Sequence, residues 1–137
     1  MTQPDSTQVT DTYAPQLDVD LSRMQRSETG LHTETIVEGD GDAVQAGDSV
    51  QVHYTGWFPD GRTFDSSRAP NRGPYGVRVG AGGVIAGWDE GLQGMRVGER
   101  RRLVVPPALG YGSQGYPGAI PPNATLVFEI ELVEIVR

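Results

Sequence analysis

The chain has 137 residues, enough for one ordinary domain that can bury its own core without staples. It has no cysteine, which excludes disulfides, thiolate metal sites and cysteine nucleophiles. A formal charge of −7 has the wrong sign for a nucleic-acid or anionic-membrane partner, and its two histidines, His32 and His53, lie too far apart in sequence for a local metal motif.

Residues 1–30 are rich in Thr, Ser, Gln and Asp, with apolar residues at no fixed period, which predicts a disordered polar tail. A docking peptide around Tyr13-Ala14-Pro15-Gln16-Leu17 is the functional alternative for this segment. Nothing in it resembles a secretory signal, and no stretch reaches bilayer length, so the expected location is cytoplasmic.

Short strands follow from Leu31, and residues 31–137 read as one domain. Leu31–Glu38 is the first strand, ended by Gly39-Asp40-Gly41-Asp42. Val50–Trp57 alternates, with Val50, Val52 and Tyr54 on one face and Gln51, His53 and Thr55 on the other. Pro59-Asp60-Gly61 turns the chain back through Arg62–Phe64. An irregular loop over 65–74 leads to a possible strand at Tyr75–Val79. Val84, Trp88 and Leu92 recur every four residues and predict a short helix, although Gly87, Gly91 and Gly94 each weaken it by about 1 kcal/mol. Arg100–Val105 and Thr125–Val136 are strands, the latter with Leu126, Phe128, Ile130 and Leu132 on one face. Between them, Pro106–Asn123 holds five prolines and four glycines. It is either a flexible linker or an ordered binding loop carrying Tyr111, Tyr116 and Ile120, and such loops inside domains are usually functional.

The elements predict an α+β domain, a curved antiparallel sheet around one short helix, with Tyr54, Trp88, Leu92, Val104, Phe128 and Ile130 in its core. Motifs for other chemistries fail. Gly80-Ala81-Gly82-Gly83-Val84-Ile85 has isoleucine where a dinucleotide loop needs its third glycine. No Walker A motif or nucleophile elbow is present, and Ser66 and Ser67 beside Asp65 read as a polar loop. Glu34, Glu38, Asp40, Asp42 and Asp48 lack calcium-loop spacing and read as a solvated acidic face. His53 reads as a hydrogen-bonded sheet residue. What remains is a domain short of acid–base groups and well supplied with aromatics around loops, which suits an apolar, proline-like ligand.

Four blocks in register carry a resemblance: Val52-His53-Tyr54-Thr55-Gly56, Phe64-Asp65-Ser66-Ser67, Val84-Ile85-Ala86-Gly87-Trp88-Asp89-Glu90-Gly91, and Gly118 through Phe128. From about Leu31 to Arg137 the chain resembles the FKBP family of macrolide-binding prolyl isomerases. The resemblance implies a sheet of five to six strands wrapped around the helix. It also implies a pocket floored by Trp88 and walled by Tyr54, Phe64, Asp65, Val84, Ile85, Tyr111, Tyr116, Ile120 and Phe128, with Tyr75 at the rim. Trp88, Phe64 and Phe128 would form a proline slot, and the Ile85 N–H and Tyr111 hydroxyl would hold substrate carbonyls. Asp65 has two readings: a structural carboxylate pairing with loop groups or Arg68, or an acceptor beside the twisting amide.

Three departures stand out. Val77 occupies a position where the family often has an aromatic, Tyr116 stands where histidine is common, and no insertion interrupts Tyr111–Ile120. The implied function is cis/trans isomerisation of X-Pro bonds during protein folding, with no cofactor and no metal. Proline-containing peptides and unfolded proteins are the expected partners, with macrolides such as rapamycin or tacrolimus as possible ligands, and a monomer is expected. A binding module using the same pocket with little turnover is the competing class; a holdase chaperone is disfavoured by the missing insertion.

Overall fold

In the computed structural model, which describes residues 13–70 and 72–136, seven strands form one antiparallel sheet. They are β1 (Gln25–Arg26), β2 (His32–Val37), β3 (Ser49–Trp57), β4 (Thr63–Ser66), β5 (Tyr75–Arg78), β6 (Arg100–Val105) and β7 (Leu126–Val136). The spatial order is β1-β2-β6-β7-β3-β4, with β5 beside the first half of β3 and β4 beside its second half. One α-helix among the described residues, α1 (Ala86–Gly91), crosses the inner face. Among the described residues no helix is long and apolar enough to cross a membrane.

Alternation sets the inner face. On β3, Val50, Val52, Tyr54 and Gly56 are buried while the residues between them are not. On β7, Leu126, Phe128, Ile130 and Leu132 join them in one cluster with Trp88, Leu92 and Met95. The glycines that weaken α1 as an isolated helix are what let it sit this close to the sheet. A Cβ on Gly87 would stand 2.8 Å from Val105 Cγ1, and one on Gly91 would stand 2.9 Å from Leu103 Cδ1. Tertiary fit overrides propensity here.

The outer face holds the main departure from expectation. Val104, expected in the core under the helix, is buried instead on the opposite face beside its cross-strand partner Val127. The cover comes from residues 13–30, which the composition predicted to be disordered. There Leu17 and Met24 are buried, two short 3-10 turns cover Pro15–Leu17 and Leu21–Arg23, and β1 pairs with β2 as the seventh strand. Residues 1–12, the remainder of the predicted tail, lie outside the described residues.

Polar contacts fasten this strap. The Ala14 N–H donates to the Pro59 carbonyl at 2.8 Å. The buried Arg102 guanidinium donates to the Asp18 carbonyl, Glu34 and Glu129, at 3.1, 3.0 and 3.0 Å. Arg23 donates to Glu34 at 2.9 Å from the strap itself. Two apolar anchors and a charge network beat chain entropy where sequence periodicity showed nothing. Glu34, read as part of a solvated acidic face, is thus a member of this network.

Candidate active site

The site lies where β3, β4, β5, α1 and the long loop meet. Tyr54 extends inward from β3, and Phe64 and Asp65 come from β4. A Cβ on Gly56 would lie 2.6 Å from Phe64 Cζ and 2.8 Å from Phe128 Cε1, so only glycine leaves room for both rings. Trp88 sits on α1 with three rings standing nearly perpendicular to its own: Tyr54 at 4.9 Å and 80°, Phe128 at 5.5 Å and 83°, and Tyr75 at 6.2 Å and 77°. Such edge-to-face packing fixes ring orientations as well as burying area. Trp88 Nε1 is buried with no hydrogen-bond partner among the described residues.

Together these residues enclose a cavity of about 160 Å³. Tyr54, Phe64, Asp65, Tyr75, Val84, Ile85, Trp88, Tyr111 and Phe128 line it, together with Gly83. Two expected wall residues lie elsewhere. Ile120 is packed in the core, and Tyr116 is 59% exposed, with its ring 5.9 Å from that of Tyr111. Val77 is likewise buried in the core rather than at the mouth.

The loop between β6 and β7 is ordered. Tyr116 and Ile120 exchange backbone hydrogen bonds, both 2.8 Å, and the Asn123 N–H donates to the Gly112 carbonyl at 2.9 Å. These bonds make a closed flap that holds Tyr111 over the cavity. On the other side, Asp89 accepts from the Gly80 and Gly82 N–H groups at 2.8 and 3.0 Å, fixing the loop that delivers Gly83, Val84 and Ile85. Asp89 was not singled out in the sequence, because a carboxylate that bonds only backbone has no spacing signature.

Asp65 is the charged group of the site. One carboxylate oxygen accepts from the Tyr54 hydroxyl at 2.5 Å; the other accepts from Arg72 Nη1 at 2.6 Å and from the Ser66 N–H at 2.9 Å. Arg72 Nη2 also reaches the Tyr54 hydroxyl at 3.3 Å. The partner expected from the sequence, Arg68, instead pairs with Glu131 across the sheet. Arg68 is nearer in sequence, but the bend after β4 turns it to the outer face and brings Arg72 back to the pocket. Burial pushes the Asp65 carboxyl up, but the bonds from Tyr54 and Arg72 outweigh it and hold the group below its ordinary value. Burial, then the Asp65 bond, pushes the Tyr54 hydroxyl up to about 12. Burial likewise raises Tyr111, with the Asp65 charge adding to it. His53 faces outward, its Nδ1 2.9 Å from the Ser67 hydroxyl, and is not a lining residue.

An aromatic slot with one ionised carboxylate at its wall, built on a sheet that wraps a short helix, defines a site for a small apolar ring rather than for bond-breaking chemistry. Comparison with known proteins carries this further. Residues 41–133 match the model of the FKBP-type peptidyl-prolyl cis-trans isomerases, and the chain belongs to that family. It is 47% identical over 106 residues to the FK506-binding protein of Neisseria meningitidis serogroup B, covering 77% of this chain and 96% of that one. It is also 47% identical over 107 residues to the peptidyl-prolyl cis-trans isomerase Fkbp12 of Drosophila melanogaster, covering 77% and 98%. The crystal structure of AtFKBP13 superposes with a TM-score of 0.76 at 34% identity, covering 82% of this chain and 98% of that one.

Proposed function

We propose that this peptidyl-prolyl isomerase acts on X-Pro bonds of folding polypeptides, using the Trp88 cavity as its proline slot. The observation that carries the reading is the cavity's size and lining. Its volume of about 160 Å³ is that of a cavity which takes one small apolar ring. Ring edges and faces surround that space, so the ring it suits is apolar.

Rotation about the X-Pro bond faces a barrier of about 18–20 kcal/mol from amide resonance. No bond to carbon is made or broken, so no nucleophile is needed. The twisted amide has less charge separation than the planar one, so an apolar slot favours it relative to water. Trp88, Phe64 and Phe128 hold the ring, while the Ile85 N–H and Tyr111 hydroxyl orient the flanking carbonyls. For Asp65 both readings hold together. Its bonds to Tyr54 and Arg72 brace the wall, and its remaining negative charge faces the twisting amide. Accelerating the reaction by three to five decades requires lowering the barrier by about 4–7 kcal/mol, within reach of orientation and desolvation.

Macrolide binding is the second reading, favoured by the naming of relatives as FK506-binding proteins. A drug-sized ligand needs about 300 Å³ or more, so it would seat one ring in the slot and spread over Tyr75, Tyr111 and Tyr116, all exposed. Both readings are tested by following cis/trans exchange of a Leu-Pro tetrapeptide with and without rapamycin. Catalysed exchange that rapamycin suppresses is expected. Exchange at the uncatalysed rate would reduce the protein to a binding module.

A further inference from the structure

Besides the proline slot, the described residues form a groove of about 1160 Å³ on the far side of the flap. Its walls are the strap at Leu21, β1 at Arg26, the β3–β4 turn at Phe58, and the back of the flap at Ser113 and Pro122. We infer that this groove binds the polypeptide that flanks the X-Pro bond held in the slot, taking an apolar segment that carries an acidic side chain. The inference rests on the prolyl isomerase reading and deepens it.

Three observations support it. First, the two cavities share a wall at the β3–β4 hairpin. Phe58 lines the groove and Phe64 lines the slot, and their rings pack together with centroids 5.1 Å apart. Second, the groove is walled by proline rings from two loops, together with Leu21 and Phe58. Proline offers no backbone N–H, so these walls bind by contact rather than by sequence-specific hydrogen bonds. That suits varied unfolded segments, whereas the 160 Å³ slot has room for one ring.

Third, the charge is complementary. Of the two arginines at the groove, Arg62 is paired with Asp60 at 2.7 Å, whereas Arg26 has no carboxylate partner among the described residues. Its cross-strand neighbour is His32, whose burial and proximity to Arg26 disfavour a second positive charge. In a chain of net charge −7, this leaves one unpaired cation beside an apolar trough, a place for an acidic side chain.

The test compares two substrates on the full chain: a Leu-Pro tetrapeptide, and the same tetrapeptide carrying an eight-residue arm of alternating Leu and Glu, attached on either side. The arm is expected to raise kcat/KM on at least one side by about five- to tenfold, through the effective concentration that the shared wall imposes. Arg26→Glu and Leu21→Asp, both outside the slot, should abolish that gain and leave tetrapeptide turnover unchanged. An arm made of Leu and Lys should give no gain. No advantage for the acidic arm in the native chain, or an advantage that survives both substitutions, overturns the inference. So does an advantage that appears only after residues 1–12 are removed, which would assign the groove to the chain itself. If the tetrapeptide itself is not turned over, it is the isomerase reading that has failed.

Discussion

Arg72 donates to the Asp65 carboxylate at 2.6 Å from seven residues along the chain, closing a three-residue arrangement in which Tyr54 bonds the other oxygen. Both ion-pair partners are about two-fifths exposed, so the pair contributes at most about 1 kcal/mol to stability. Its effect is on position. Arg72→Leu should lower kcat/KM about fivefold, equivalent to about 1 kcal/mol in the transition state, and shift the melting temperature little. Arg72→Lys should restore part of the activity, and Asp65→Leu should cost more than either. Undiminished turnover by Arg72→Leu would remove Arg72 from the site's machinery.

The pH profile follows from the same three residues. Asp65 is held below its ordinary 3.8 and stays ionised throughout the working range. Tyr54, near 12, and Tyr111, raised above 10, stay protonated. Activity should therefore be flat from about pH 5 to 9, and steady-state rates across buffers would check it. For stability the sign is that of a depressed carboxyl. The contribution is fully present above pH 3.8 and is lost as pH falls through the lower folded-state value. In Arg72→Leu the contribution should be smaller and its loss complete at higher pH, because one of the bonds that lowers the folded value is gone. His53→Gln should leave the activity profile flat, whereas a step in the neutral range that vanishes with the histidine would refute the proton-free mechanism.

The strap makes a separate prediction. Leu17 is 3% exposed, so Leu17→Ala should cost about 2–3 kcal/mol. For a chain of this size that lowers the melting temperature by roughly 6–12 °C. Tetrapeptide turnover at 10 °C should be unaffected, because Leu17 lies on the face of the sheet opposite Trp88. A shift under two degrees would mean that the strap is not part of the cooperative unit.

Gly87→Ala sets two effects against each other. Alanine gains about 1 kcal/mol of helix propensity, but its Cβ would stand 2.8 Å from Val105 Cγ1 on a fully buried valine. Overpacking of that kind costs about 1–3 kcal/mol, so net destabilisation is expected by urea unfolding. A stabilised variant would show that the helix can lift from the sheet freely.

The strands were legible because half-buried strands print their burial as alternation, as β3 and β7 do. The aromatic slot was legible through four sequence blocks, each keeping its ring or carboxylate at a fixed position. Three features were not legible, for distinct reasons. Residues 13–30 bury only two anchors in irregular turns, and two residues make no period. Arg72 competes with Arg68 for one carboxylate, and the bend that decides between them leaves no trace in composition. Tyr116 and Ile120 are neighbours in the flap, yet the bridge between them sends one outward and the other into the core.

The sheet order bears on how the protein itself folds. β7, the last strand in chain order among the described residues, lies between β6 and β3 and pairs with β3 from Ser49 to Trp57. Until β7 is in place, the earlier strands have no partner at the centre, and the groups that β7 will satisfy stay open to water or to other chains. Closure joins segments some eighty residues apart, so it is slow compared with local hairpins. A chain still waiting for β7 thus lacks both the slot and the cover of its central strands, and gains the two together.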